Sequence, residues 1–167
     1  MEYCIRHMRE ADLPAIHEMR DNDATRRMLE CIPGEPLSAM NILLEGLGRN
    51  RHILVAEASL PNGEAKAVGM CILMVESSPK RRHTGTIGLT VHYDFQGQGI
   101  GKHLMRNMIK FSDEWLMLKR IELTVLQDNH RAISIYQACG FEKEGVKRAS
   151  IICEGKYADE WMMARIQ

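Results

Sequence analysis

The segment Val91–Lys102, VHYDFQGQGIGK, constrains this chain more than any other. A run rich in Thr, Ile, Leu and Val, Thr84–His92, leads into it and reads as a strand. A run with Ile100, Leu104, Met108 and Phe111 at three-to-four spacing leads out, which predicts a helix from Gly99 to Trp115. Ile121–Leu126 then reads as a further strand. The chain must therefore pass from strand to helix within a few residues, and Gly97, Gly99 and Gly101 let it turn tightly there. A strand–helix–strand unit in the middle of a chain calls for a mixed sheet with helices on both faces.

The rest of the chain supplies the other elements. Tyr3–Met8 reads as a first strand, and Asp12 with Pro14 opens a helix. Cys31–Pro36 breaks structure, and Ser38 is placed to cap a second helix to about Leu47, ended by Gly48. His52–Ala58 and Ala67–Val75 form a hairpin about the Pro61-Asn62-Gly63 turn. Asp128 or Asn129 caps a helix from His130 to Cys139, closed by Gly140. Phe141–Val146, Ala149–Ile152 and Tyr157–Ile166 make a final antiparallel pair with its turn at Glu154-Gly155-Lys156. No linker rich in Pro, Gly or Ser divides the 167 residues, so residues 1–167 are expected to be one domain.

Consecutive backbone N–H groups at a helix N-terminus make an anion nest, reinforced by the helix dipole, and a pyrophosphate suits it. Lys102 is in the first turn, where the dipole disfavours a cation, so a phosphate partner would explain it; a solvated surface lysine is the other reading. Two familiar phosphate loops are excluded by spacing. A Walker loop needs Ser or Thr after its Lys, and His103 follows Lys102; Gly97-Gln-Gly-Ile-Gly lacks the G-x-G-x-x-G spacing of a dinucleotide fingerprint.

The residues Gln96-Gly97-Gln98-Gly99-Ile100-Gly101 match the Q/R-x-x-G-x-G/A loop of the GCN5-related N-acetyltransferases (GNAT), which this sequence resembles. Asn129-His-Arg-Ala132-Ile-Ser-Ile-Tyr136-Gln-Ala-Cys-Gly140-Phe141 matches a second stretch of that family, N-x-x-A-x-x-x-Y-x-x-x-G-F, and a strand separates the two. The run Arg120–Val125, the Asp128-Asn129 pair and the tail Gly155–Arg165 are similar to bacterial L-amino-acid N-acetyltransferases; phosphinothricin-type and ribosomal-protein alanine acetyltransferases share much of the pattern.

The resemblance implies an α/β (α+β) fold, with a mixed, mostly antiparallel sheet of six to seven strands and about four helices on both faces. It implies acetyl-CoA as co-substrate, no metal, and transfer of the acetyl group to a primary amine of a small molecule, an L-amino acid above all, by direct attack on the thioester. A protein N-terminus, a phosphinothricin- or antibiotic-type amine, and a non-catalytic acetyl-CoA sensor are the alternatives. It assigns Leu89, Thr90 and Val91 to the pantetheine arm through their backbone, and Gln96, Gly97, Gln98, Gly99, Ile100, Gly101 and Lys102 to the pyrophosphate. It gives Asn129 a contact with the cofactor beside its role as helix cap, and makes Tyr136 the general acid toward the departing thiolate. On helix pattern alone Tyr136 reads equally as a core aromatic.

The general base is less defined. Ribosomal-alanine enzymes carry a Glu twelve residues before the Tyr, where this chain has Thr124. Glu122 lies on the same face of that strand, roughly 7 Å along it. Glu76, His83 and His92 are further candidates, as is a water chain. Lys80-Arg81-Arg82-His83 reads as a charged hairpin tip, or as a site for a substrate carboxylate. The methionines, 12 in all, suit gap-filling in the core or an adaptable pocket.

Composition removes other classes. Lys plus Arg and Asp plus Glu are 22 each, so no basic face for nucleic acid is indicated. No apolar run reaches the ~18 residues of a membrane span, and residues 1–10 lack a secretory core, so a cytoplasmic setting is expected. The five cysteines are widely spaced with no C-x-x-C, which favours free thiols over a disulfide framework or zinc site. The paired C-terminal strands are a candidate homodimer surface.

Overall fold

A computed structural model of the protein describes residues 2–167. Strand β1 (Tyr3–His7) leads into a 3₁₀ turn at Glu10–Asp12 and helix α1 (Leu13–Asp21); a single helical turn, α2 (Asp23–Arg26), follows. Strands β2 (Arg51–Ser59), β3 (Ala65–Val75) and β4 (Thr84–Val91) precede helix α3 (Ile100–Glu114). Strand β5 (Arg120–Leu126), helix α4 (His130–Gln137), β6 (Glu142–Cys153) and β7 (Lys156–Ile166) complete the chain. The seven strands lie in the order β1-β2-β3-β4-β5-β7-β6 and all pairs are antiparallel except β4 with β5. The mixed sheet expected from the sequence is therefore present.

Period-two alternation divides β2 and β3 between two cores. Leu54, Ala56, Cys71 and Leu73 join α3 and α4 in one cluster, through Leu104, Met105, Met108, Ile133 and Tyr136. Ile53, Val55 and Met70 face the other way, against Ile16 and Met19 of α1 and against Met40 and Leu43. Helical segments thus cover both faces.

One local expectation is corrected. The segment after Pro36 is a 3₁₀ helix, Leu37–Leu43, with no side-chain cap, rather than an α-helix capped by Ser38 and running to Leu47. Its buried residues, Met40 and Leu43, are three apart, the 3₁₀ period, and Gly46 and Gly48 turn the chain by positive φ directly after it. Asp12 and Pro14 open α1 as expected, with Asp12 at the N-cap position and Pro14 in the first turn, but the Asp12 carboxylate is engaged elsewhere. It accepts two hydrogen bonds of 2.7 Å from the Arg6 guanidinium and one from the Arg9 N–H, and so ties the turn to β1. The two hairpin turns are as expected: Gly63 has φ +84° between β2 and β3, and Glu154 and Gly155, both at positive φ, form the two-residue turn between β6 and β7.

Candidate active site

Strands β4 and β5 share a ladder only at Thr84–Thr86 and Arg120–Glu122. Beyond it β4 stays paired with β3 as far as Val91, while β5 stays paired with β7 as far as Leu126. The sheet splits into a cleft here, and the β5-facing backbone of Ile87–Val91 is left without a strand partner. Gln96 takes one of these groups, its Nε2 donating to the Val91 carbonyl at 3.1 Å. The remainder can pair with an extended amide chain as an added strand would.

At the open end of the cleft, a turn at Tyr93–Phe95 leads into the glycine loop and α3. Gly99 is the N-cap, with φ +82° and no side-chain cap, so among the described residues no side chain caps the first N–H groups of the fifteen-residue helix α3. A Cβ added at Gly99 would meet nothing within 4 Å, so the space beside this turn is open. At Gly101 an added Cβ would lie 3.3 Å from Leu89 and 3.4 Å from Ile135; the small residue lets α3 approach β4 and α4 closely. Leu89 and Val91 pack under the helix start and Thr90 is buried, which leaves their backbone as the part open to a ligand.

A guanidinium that the sequence motifs leave unassigned lies over this loop. Arg131 Nη1 donates to Gln96 Oε1 at 2.6 Å, and Nη2 would be 3.1 Å from a Cβ on Gly97. Gln96 is thereby committed on both sides, to Arg131 and to Val91, and braces the loop. The signal for Arg131 was available: a cation in the first turn of α4 opposes the helix dipole, the argument already applied to Lys102. A diphosphate fits these residues: unclosed helix N–H groups, an open space that a Cβ would fill, and a guanidinium at its rim.

Local sequence positions Tyr136. Asn129 caps α4 by accepting the Ala132 N–H at 3.1 Å. The helix ends in a Schellman motif, with Gly140 N–H donating to the Gln137 carbonyl and Phe141 N–H to the Tyr136 carbonyl. Phe141 then packs on Tyr136, ring centroids 6.0 Å apart. Tyr136 is 6% exposed, and burial pushes its hydroxyl well above the ordinary tyrosine range, with Cys71 nearby adding to the effect. The phenol therefore holds its proton at neutral pH. Burial also pushes the Cys31, Cys71 and Cys139 thiols up, the opposite of what a thiolate nucleophile requires.

The base candidates fall into two places. Glu122 and Glu76 sit at the closed end of the cleft, where Arg81 lies 3.6 Å from the first and 3.9 Å from the second. Arg120 Nε also donates to Glu122 at 2.9 Å. The Lys80–His83 tip is at the same end, separated from the glycine loop by the length of β4, about 23 Å. His92 is at the other end: buried, stacked on Tyr93, with Nε2 3.4 Å from Glu18 of α1. Glu122 and Glu76 are brought together, and His92 is not among them.

The chain matches the model of the acetyltransferase (GNAT) family over residues 34–141. It belongs to that family. It is 38% identical over 104 residues to the L-amino acid N-acetyltransferase AaaT of Escherichia coli (strain K12), a match that spans 62% of this chain and 64% of that relative, just under two thirds of its length. The fold is shared with a GNAT-family acetyltransferase from Streptococcus pneumoniae (TM-score 0.82, 24% identity, 99% of this chain and 100% of that one). It is shared too with the Vibrio cholerae spermidine N-acetyltransferase solved in complex with CoA and spermine (TM-score 0.83, 21% identity, 99% and 95%). Both GNAT-like sequence stretches, Gln96–Gly101 and Asn129–Phe141, lie inside the matched region.

Among the described residues no helix is long and apolar enough to cross a membrane, and no cluster of His, Cys, Asp and Glu has the makings of a metal site.

Proposed function

We propose that this protein is a cytoplasmic enzyme that transfers the acetyl group of acetyl-CoA to the primary amine of a small molecule, an L-amino acid, by direct attack of the amine on the thioester. One observation carries the proposal: the edge of β4 that β5 leaves unpaired runs directly into the open helix N-terminus at Gly99, and the protonated phenol of Tyr136, on the helix that follows β5, supports it. The pyrophosphate binds at Gly97–Lys102 with Arg131, and the pantetheine amides pair with Leu89–Val91. Asn129, spent on its cap through Oδ1, keeps its amide NH₂ for the cofactor. The thioester then points back along β4, toward the end where Glu122 and Glu76 lie.

When bound, acetyl-CoA supplies an activated acyl carbon and a thiol leaving group. Tyr136 gives the departing sulfur its proton, which its raised pKa has kept in place. Glu122, with Glu76 as the alternative, takes the amine proton, directly or through water; Arg120 and Arg81 lie beside Glu122. The acceptor class rests on the likeness to the amino-acid acetyltransferase, and one domain, residues 1–167, carries both half-sites. The exposed apolar residues Ile152 and Tyr157 on the β6–β7 hairpin supply the surface for a homodimer.

The test is thiol release from acetyl-CoA against amino acids, polyamines, peptides with free N-termini and phosphinothricin. Turnover with amino acids supports the proposal. Turnover with only a polyamine or a peptide would replace the acceptor class. Tight acetyl-CoA binding with no turnover on any amine would make the protein a sensor.

A further inference from the structure

His92 is a buried titratable group that the proposed chemistry leaves unused, and it stands where β4 passes into the cofactor loop. It closes the turn Tyr93–Phe95: its Nδ1 accepts the Asp94 N–H at 3.3 Å, and its carbonyl accepts the Phe95 N–H at 2.9 Å. Its own N–H donates to the Val68 carbonyl at 2.9 Å, one step past the last paired residue of β4. The other ring nitrogen, Nε2, lies 3.4 Å from Glu18 Oε1 on α1. The Glu18 carboxylate is held in turn by Lys66 of β3, at 2.6 and 2.7 Å. Tyr93, stacked at 4.8 Å, and Phe95, edge-on at 5.4 Å, enclose the imidazole.

These contacts set the tautomer. An Nδ1 that accepts leaves the ring proton on Nε2, where it donates to the Glu18 carboxylate in a charge-assisted bond. Both nitrogens are then engaged inside the protein, and neither is left for a substrate amine. What the contacts do instead is fix the start of the loop. Beyond Thr86, β4 has no partner on the β5 side, and Gly97 and Gly99 bring no side chains to hold the loop at their positive φ. Glycine loses more conformational freedom on ordering than any other residue, so a ligand that had to order this segment itself would bind more weakly. Gln96 braces the loop on the cleft side, through Val91 and Arg131. His92 braces it on the β3 side, against α1.

We infer that His92 is a positioning residue for the cofactor: its neutral ring pins the entrance of the Gln96–Gly101 loop to Glu18 of α1, and so holds the α3 N–H groups in place for the diphosphate of acetyl-CoA. The inference rests on the proposed acetyl-CoA site and deepens it, from the groups that touch the diphosphate to the one that keeps them ready. Lys66 steadies the Glu18 carboxylate from β3, and the ring proton of His92 carries the link onward to the loop.

The experiment measures acetyl-CoA binding by calorimetry, with the melting temperature of the same samples. Glu18→Ala removes the partner of Nε2 from a helix surface where the Glu18 side chain is 55% exposed, so the variant is expected to fold. It should raise the dissociation constant roughly tenfold, the scale of one charge-assisted hydrogen bond. His92→Leu, which keeps the bulk and loses both ring contacts, should raise it at least as far. His92→Asn puts an amide oxygen near the place of Nδ1 and restores the turn alone, so it should lie between His92→Leu and the wild type. Lys66→Met leaves the contact between Glu18 and His92 and should stay within about twofold of the wild type, well short of a lost charge-assisted bond. In turnover, KM for acetyl-CoA should carry the effect of Glu18→Ala and kcat should not. A dissociation constant unmoved in Glu18→Ala overturns the inference and makes His92 a structural cap, whether or not the His92 variants fold. An equal loss in Lys66→Met also overturns it, by tracing the effect to the docking of α1 on β3. A wild-type protein that does not bind acetyl-CoA overturns the cofactor site itself, and this inference with it.

Discussion

The two halves of the candidate site are built from different kinds of information. The cofactor half is made of backbone and short-range contacts. Its N–H groups come from one helix terminus, its open edge from one strand, and its phenol is fixed by a cap and a Schellman motif within the residues 129–141. The candidate acceptor half is made of side chains that meet only in the folded chain: Arg81, from the turn between β3 and β4, lies 3.6 Å from Glu122 of β5 and 3.9 Å from Glu76. Backbone that must adopt a special conformation restricts the residue types that can serve there, so it leaves a pattern in sequence. A long-range ion pair restricts them far less, and any Arg or Lys in the chain was an equal candidate for it. The acceptors that two similar proteins are named for differ, an L-amino acid in one and spermidine in the other.

That division gives graded expectations. The largest effect falls on the backbone half. Gly99→Val puts a β-branched side chain at φ +82° and into the open space at the N-cap of α3. It should weaken acetyl-CoA binding, measured by calorimetry, by roughly a hundredfold or more, because several charge-assisted bonds are lost together. The accompanying fold destabilisation should be only ~1–2 kcal/mol, the cost of one left-handed residue. A loss of stability as large as the loss of affinity would mean that the loop is structural.

Arg131→Gln comes next. It removes one guanidinium from the phosphate rim and should weaken acetyl-CoA roughly tenfold, with the difference from wild type shrinking as salt is raised. An equal loss of affinity for a pantetheine lacking phosphates would contradict that role. Smaller again is the effect of Arg27→Gln on folding. Its ion pairs are at the surface, so melting temperature should change little. A large fall in melting temperature would make Arg27 a structural clamp.

The smallest effect lies outside both halves and serves as their control. His52 is buried against Phe111, with Nε2 lacking a partner among the described residues. Burial holds its pKa below the ordinary 6.5, with the His7 charge a lesser cause. The unfolded chain then takes up this proton first. Stability from this residue is intact above pH 6.5 and declines as pH falls below it, until the folded-state pKa is passed. Thermal melts between pH 7.5 and 5 should show the decline, and His52→Leu should flatten it without altering acetyl-CoA affinity.

The same distinction explains what sequence could reveal of the fold. The strands, α3 and α4 were legible because alternation, three-to-four spacing, Asn129 and Gly140 are local signals. The segment from Leu37 was misjudged because two buried residues three apart suit a 3₁₀ helix as well as an α-helix, and only packing on α1 and β2 decides between them. The split of β4 from β5 was invisible in sequence, since both strands carry ordinary β-forming residues throughout. Arg120, Glu122 and Thr124 share a face of β5, as period two requires, yet nothing local placed Arg81 beside Glu122.

Tyr136 joins the two halves, because its phenol must meet the sulfur of one substrate as the amine of the other attacks. The most direct test of the account is the steady-state turnover of Tyr136→Phe, with the acetyl-CoA dissociation constant measured on the same sample. The account expects kcat for thiol release to fall on the order of a hundredfold, the usual scale of a lost general acid, while the dissociation constant stays within about twofold. An unchanged kcat would contradict the role of Tyr136 as proton donor and return it to the core as an aromatic packed on Phe141.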